Sequence, residues 1–262
     1  MRYTAQIALV ATLGLATSSA AQSAALAIAR GDSLYSALKP QDALAQFEAA
    51  LKLEPANYSA LWKAARAASD MAKILTGDND YTTHIRDSLY LVARAYAESA
   101  IRADSNGAAG HFMLAADLGR YSRTRGGRER VQFARIIYSE AAAALKRDSL
   151  HDGAHHVIGA WHAEVRRLSG IQRFFAKALF GAGFMDIAAW DSATVHLERA
   201  VALRPAHIYH RLELARVYVD LSRYADARRL LEAIPPLPIA DVMDGEYKRQ
   251  AGQLLEEIKG KN

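Results

Sequence analysis

The 262-residue chain has no cysteine, which excludes a disulfide framework, a thiolate zinc site, a lipoprotein anchor and a cysteine nucleophile together. Proline and glycine are scarce, at 6 and 16 residues, so few residues are available to break long elements. β-Branched and aromatic residues are outnumbered by Ala, Leu and Arg, a balance that predicts helices. A strong excess of either charge is also missing. The 33 Lys and Arg against 28 Asp and Glu leave +5, dispersed along the chain, which permits acidic partners without implying nucleic acid. With 51% hydrophobic and 23% charged residues, the chain carries a folded core of one or two domains' worth.

Long apolar runs are absent except at the start. Basic Arg2, the apolar run Ile7–Ala16 and the small residues up to Ala21 read as a secretory signal peptide, Met1–Ala21. Ser19 and Ala21 fit the two pockets of a signal peptidase, and Gln22 becomes the mature N-terminus. The run is short for a stable membrane span. The expectation is an exported protein, periplasmic or secreted, with no transmembrane segment in the mature chain.

One block recurs four times: Ala50–Pro55 (ALKLEP), Ala100–Ser105 (AIRADS), Ala144–Ser149 (ALKRDS) and Ala200–Pro205 (AVALRP). Fifteen residues after each leading Ala stands another small residue, Ala65, Ala115, Gly159 and Ala215, and Gly31 adds a first member to that column. Ala43, Ala93, Ile137, Ala193 and Ala227 form a third column, in which Ile137 alone is bulky. Small residues at fixed offsets are what closely crossing helices need, because a larger side chain pushes their axes apart.

These columns resemble the tetratricopeptide repeat, and Gly31, Ala43, Phe47, Ala50 and Pro55 fill the five pattern positions of its first unit. The step from Gly31 to Ala65 is the standard 34 residues, whereas later steps are 50, 44 and 56. The excess falls between the second and third columns, which predicts a lengthened helix A or its loop. The fold class is therefore an all-α tetratricopeptide-repeat solenoid with lengthened, insertion-bearing units. Helices are expected near 24–38, 41–53, 57–75, 86–103, 108–121, 129–147, 151–168, 171–181, 187–203, 208–222, 225–233 and 240–258. Loops are expected at Gly77–Asp80, Gly126–Gly127 and Gly181–Gly183. They form one domain, 22–262, of five units (24–57, 58–107, 108–151, 152–207 and 208–239) and a capping helix over 240–258.

The stretch His155–Gly181 (HHVIGAWHAEVRRLSGIQRFFAKALFG) resembles the signature of the regulator of microtubule dynamics family. His155, His156, Gly159, Trp161, Ala178, Leu179, Phe180 and Gly181 carry the most specific part, and His210–Leu221 and Leu237–Ile258 extend the likeness over the mature chain. Eukaryotic members are cytosolic or organelle-surface adaptors associated with microtubules, membrane contact and, in one branch, phospholipid binding. For an exported chain the resemblance implies the fold and a binding role.

No glycine-rich phosphate loop, GxSxG elbow or kinase signature is present, so no enzymatic activity and no cofactor are expected. His151, His155 and His162 lie within about 40° on one helix face, but no carboxylate joins them at ligand spacing. They read as hydrogen-bonded core histidines beside Gly159, with a metal-dependent enzyme the weakest alternative. Arg120, Arg123, Arg125, Arg128, Arg130 and Arg135 surround two glycines and read as a solvated surface or, through bidentate forks, as an anion or phospholipid-headgroup site. Ile171, Phe174, Phe175, Ala178 and Leu179 form a helical apolar stripe expected in the core, with Phe174 and Phe175 as the alternative wall of an apolar cavity.

The sharpest candidate is the concave groove, toward which positions 2, 5, 9 and 12 of each helix A point in this fold. Those positions include Tyr35, Trp62, Arg66, Phe112, His156, Tyr209 and Arg216, and large aromatics with Arg dominate binding hot spots. The leading expectation is a non-catalytic scaffold that binds a protein or peptide segment there. A carrier of phospholipid or another apolar ligand is the alternative, and nucleic acid is not an expected partner.

Overall fold

The four-fold sequence block is one recurring turn. In each copy the residue after the closing helix donates its N–H to the carbonyl of the leading Ala: Glu54 to Ala50, Asp104 to Ala100, Asp148 to Ala144 and Arg204 to Ala200, at 2.9–3.1 Å. That residue then accepts from the amide three positions on, from Asn57, Gly107, His151 and His207, and the next helix starts. The side chains of Asn57 and His151 cap their helices by accepting from Ala60 and Ala154.

The computed structural model describes residues 21–77 and 79–261. Among them the helices are α1 (21–36), α2 (Pro40–Leu53), α3 (Tyr58–Ile74), α4 (Asp80–Ala103), α5 (Ala108–Tyr121), α6 (Gly127–Arg147), α7 (Asp152–Arg167), α8 (Gly170–Phe180), α9 (Trp190–Leu203), α10 (Ile208–Asp220), α11 (Tyr224–Glu232) and α12 (Asp244–Glu257). Short 3-10 turns run over Ser122–Thr124 and Ala182–Ile187, and no described residue is in a strand. The proposed signal peptide falls, apart from Ala21, outside the described residues.

Apart from α8, successive helices from α2 onward pack in chain order, and α3 also meets α5, α5 meets α7, α7 meets α10 and α10 meets α12. The A helices thus form one continuous inner layer, with α2, α4, α6, α9 and α11 as the outer layer. The small-residue columns lie at the crossings: every alanine in them is buried without exposure. At Gly159 a Cβ would stand 2.7 Å from Leu197 Cγ and 3.0 Å from the Ala193 carbonyl, and at Gly31 2.4 Å from the Phe47 ring, so any larger residue overpacks these contacts.

The extra residues lie elsewhere than expected. Helices α4 and α6, the second helices of their units, are 24 and 21 residues long against 14 for α2, while α5 and α7 keep 14 and 16. In the second and third units most of the lengthening is therefore at the N-terminus of helix B, although α3 is also long at 17 residues. For α4 the cause is local: Asn79, read as loop, accepts from Thr82 N at 2.8 Å and starts the helix six residues early, and Arg86 ties the Leu75 and Gly77 carbonyls beneath it. In the fourth unit the insertion is α8 and the following 3-10 turn, which leave α7 packed on α9 and dock beside α6. Helix α12 starts at Asp244, later than expected, because its carboxylate accepts from Ala240 N and Asp241 N and holds the preceding residues in a turn.

Candidate functional site: the concave face

The expected groove residues, all on helices of the inner layer, fall into three clusters. At the N-terminal end the Arg66 guanidinium lies 3.7 Å over the Tyr35 ring and 5.0 Å from the Trp62 ring. Tyr35 donates its hydroxyl to Asp70, and burial, with the Asp70 charge, pushes the phenol pKa up. In the middle, Phe112 packs on His151 at 4.6 Å and fills the space beside Gly153, and His156 lies 4.7 Å from Tyr209. At the C-terminal end Arg216 is tied to Glu213 at 3.1 Å and to Gln250 of α12 at 2.7 Å.

Between these clusters the face holds residues that sequence reasoning did not assign to it. Arg120, at the end of α5, sits among Tyr90 of α4, Tyr209 of α10 and Tyr247 of α12, with Asp117 one turn before it. Arg123 leans toward Tyr209, and Tyr209 stacks on Tyr247 at 4.5 Å. Arg120 reaches the Ala116 carbonyl at 3.3 Å, and neither guanidinium has a carboxylate at ion-pairing distance among the described residues. Asp117 is fully buried, and neither of its oxygens closes a hydrogen bond of good geometry, even with neighbouring Ser69. Burial raises its pKa to about 7 against the lowering effects of Ser69 and Arg120.

One side of this face is bridged by the segment before α12. Lys73 of α3 holds Asp70 at 2.5 Å and Asp241 at 3.2 Å, joining residues 168 positions apart in sequence. Asp241 also accepts from Met243 N.

The arginine run is divided by the 3-10 turn Ser122–Thr124 and does not form one anion site. Arg120 and Arg123 lie near Tyr209; Arg125 pairs with Asp87 of α4 and lies 4.5 Å over Tyr121; Arg128 and Arg130 stand exposed on α6. Arg135 donates to the Gly181 carbonyl at 3.2 Å. The apolar stripe of α8 is in neither the core nor a cavity wall: Phe174 and Phe175 are 64% and 52% exposed, and Ala176 is the buried residue of that helix. The stripe stands out because α8 docks through its opposite side.

The three histidines are spent on structure. His151 caps α7, His155 meets His196 of α9 at 3.0 Å, and His162 accepts from Ala189 N at 3.2 Å. A second polar string, His156–His210–Asp152, runs at 3.1 and 2.9 Å, and the Asp152 pKa is lowered because burial, which raises it, is outweighed by His210. Among the described residues no group of three His, Cys, Asp or Glu is placed to hold a metal ion, and no helix is long and apolar enough to cross a membrane.

The family model described as regulator of microtubule dynamics protein 1-3 matches residues 27–259. Regulator of microtubule dynamics protein 3 of Rattus norvegicus is 25% identical over 202 residues, 77% of this chain and 41% of that protein. Regulator of microtubule dynamics protein 1 of Bos taurus is 26% identical over 206 residues, 77% of this chain and 62% of that protein. The chain thus spans less than two thirds of the length of these relatives. Among solved structures, TTC0263, a thermophilic TPR protein of Thermus thermophilus, superposes with a TM-score of 0.61 at 19% identity over 88% of this chain and 99% of that one. The pilF protein of Pseudomonas aeruginosa superposes at 0.55 and 13% identity over 92% and 93%. The fold is a tetratricopeptide-repeat-like, all-α solenoid.

Proposed function

The chain belongs to the regulator of microtubule dynamics family, and from that premise we propose that it is an exported, non-catalytic scaffold that binds an acidic protein segment along its concave face. The observation that carries this reading is the pair Arg120 and Arg123, placed beside Tyr90, Tyr209 and Tyr247 and, among the described residues, with no carboxylate at ion-pairing distance, Asp117 and Glu213 acting on them only from farther off. A guanidinium beside aromatic rings gains from an incoming carboxylate through charge-assisted and bidentate hydrogen bonds. Arg66, stacked between Tyr35 and Trp62, extends the same chemistry toward the N-terminal end.

The test is fluorescence anisotropy with a labelled Glu-rich peptide carrying one Trp. Arg123→Gln and Trp62→Ala are expected to weaken binding roughly 30-fold, the loss of a central anchor, while Arg229→Ala on the exposed outer layer leaves it unchanged. Folded variants that bind as tightly as the parent chain would sink the groove reading. Export rests on the Met1–Ala21 pattern. Its check is the N-terminal sequence of protein recovered outside the cytoplasm, expected at Gln22; an intact Met1 there excludes it.

A further inference from the structure

Helix α8 is held against the molecule by its least apolar side. Placing its residues at about 100° intervals puts Ile171, Phe174, Phe175, Ala178 and Leu179 on an arc of about 140°, with Ala176 and Arg173 roughly opposite. Ala176 is the buried residue, and Arg173 anchors the helix by donating to the Arg166 and Leu168 carbonyls at 3.3 and 2.6 Å. The apolar arc is turned to solvent: Ile171 is 71% and Leu179 66% exposed, with Phe174 and Phe175 between them in edge contact at 5.6 Å. Both ends are fixed locally, by the Ser169–Gln172 capping box and by Gly181 in the left-handed conformation at φ 64°. A well-capped helix with its apolar face outward is a presented surface, since its own fold leaves Ile171, Phe174, Phe175 and Leu179 each more than half exposed.

The rim of the face is cationic. Arg128, exposed at the N-terminus of α6, shares a shallow cleft with Gln132, Leu179 and Phe180, and exposed Arg135 reaches the Gly181 carbonyl. Neither has a carboxylate partner among the described residues. Lys177, on α8 itself, pairs with Asp186. We propose that α8 is a membrane-docking helix that lies in the headgroup region of an anionic bilayer, with Ile171, Phe174, Phe175 and Leu179 inserted and Arg128 and Arg135 on the lipid phosphates. An amphipathic helix with this division of faces binds interfaces through its buried apolar area plus attraction to anionic lipid. A second copy fits less well: a two-fold contact sets the same patch against itself, bringing Arg128 and Arg135 of both copies together, where Glu129 and the Lys177-paired Asp186 are the nearby exposed carboxylates. This surface is distinct from the concave face, so the two readings stand or fall separately.

The experiment is vesicle flotation of the full chain with phosphatidylglycerol–phosphatidylcholine vesicles and with phosphatidylcholine alone. The expected result is binding to the anionic vesicles that weakens with added salt. It should fall at least about tenfold in Phe174→Glu/Phe175→Glu, and by about fivefold for each of Arg128→Gln and Arg135→Gln. The substituted side chains are exposed, so unchanged helical circular dichroism is expected and establishes that the variants are folded. A double variant that floats as well as the parent chain overturns the proposal, because another segment then holds the membrane. Failure of the parent chain to bind anionic vesicles overturns it too. Sedimentation velocity reads the remaining case: a dimer that Phe174→Glu/Phe175→Glu converts to a monomer assigns the face to a second copy instead.

Discussion

Asp117 shows how a single buried residue sets a pH dependence. Its folded-state pKa, raised to about 7 by burial, exceeds the unfolded value of about 3.9. Between those values the unfolded chain has released the proton that the folded chain keeps, so rising pH favours unfolding, and the full cost is present above about pH 7. Asp117→Asn removes that ionisation. The variant is expected to gain roughly 2–3 kcal/mol more, relative to the parent chain, at about pH 8 than at about pH 5, read from denaturant melts at each pH. An equal difference at both would show that Asp117 is ionised throughout. Buried histidines act in the opposite sense. Burial, with neighbouring histidines, lowers His196 to about 4 and His207 to about 3, so the unfolded chain takes up protons below about pH 6.5 and stability falls with acid. The structural role of His151, His155 and His162 was legible from their place beside Gly159. Asp117 was not, because nothing local distinguishes a buried aspartate from a surface one in a helix of mixed composition.

At the scale of elements, the repeat columns made the helices readable, because a crossing helix constrains its partner at a fixed offset. Residues inserted between columns escape that constraint. The apolar stripe of α8 was evident from its spacing, but which way it faces depends on Arg173 and Ala176 gripping the neighbouring surface, and no repeat offset encodes that. The early start of α4 depends likewise on one cap. Before Tyr90 the residues of α4 are exposed or half-buried, and the tertiary contacts of Arg86 and Asp87 come only after the first turn. Asn79→Ala, which removes the bond to Thr82 N, should destabilise those turns by about 1 kcal/mol. Hydrogen exchange is expected to speed up over residues 80–86 while Tyr90–Ala103 stays protected. Uniform exchange along α4 in both proteins would show that the cap does not set the boundary.

Across the whole molecule, a solenoid is ordinarily a one-dimensional object in which each unit touches only its neighbours, so its halves are coupled weakly. The Lys73–Asp241 contact departs from that by linking α3 to the segment before α12. No sequence period announces such a link, because it follows from the curvature accumulated over all the intervening crossings; the same curvature puts Tyr247 opposite Arg120. The pair is only 10% and 20% exposed, between the surface regime in which ion pairs contribute little and the buried regime in which breaking one is costly. Asp241→Asn leaves Lys73 its Asp70 partner and should cost about 1–2 kcal/mol, most of it as lost coupling between the two ends. In hydrogen exchange, α10 and α12 are then expected to open at a lower free energy than α2 and α3, whereas similar values for both are expected in the parent chain. Similar protection at both ends of the variant would mean that neighbour contacts alone carry the cooperativity, and that the bridge across the concave face is incidental to how firmly the groove is held in shape.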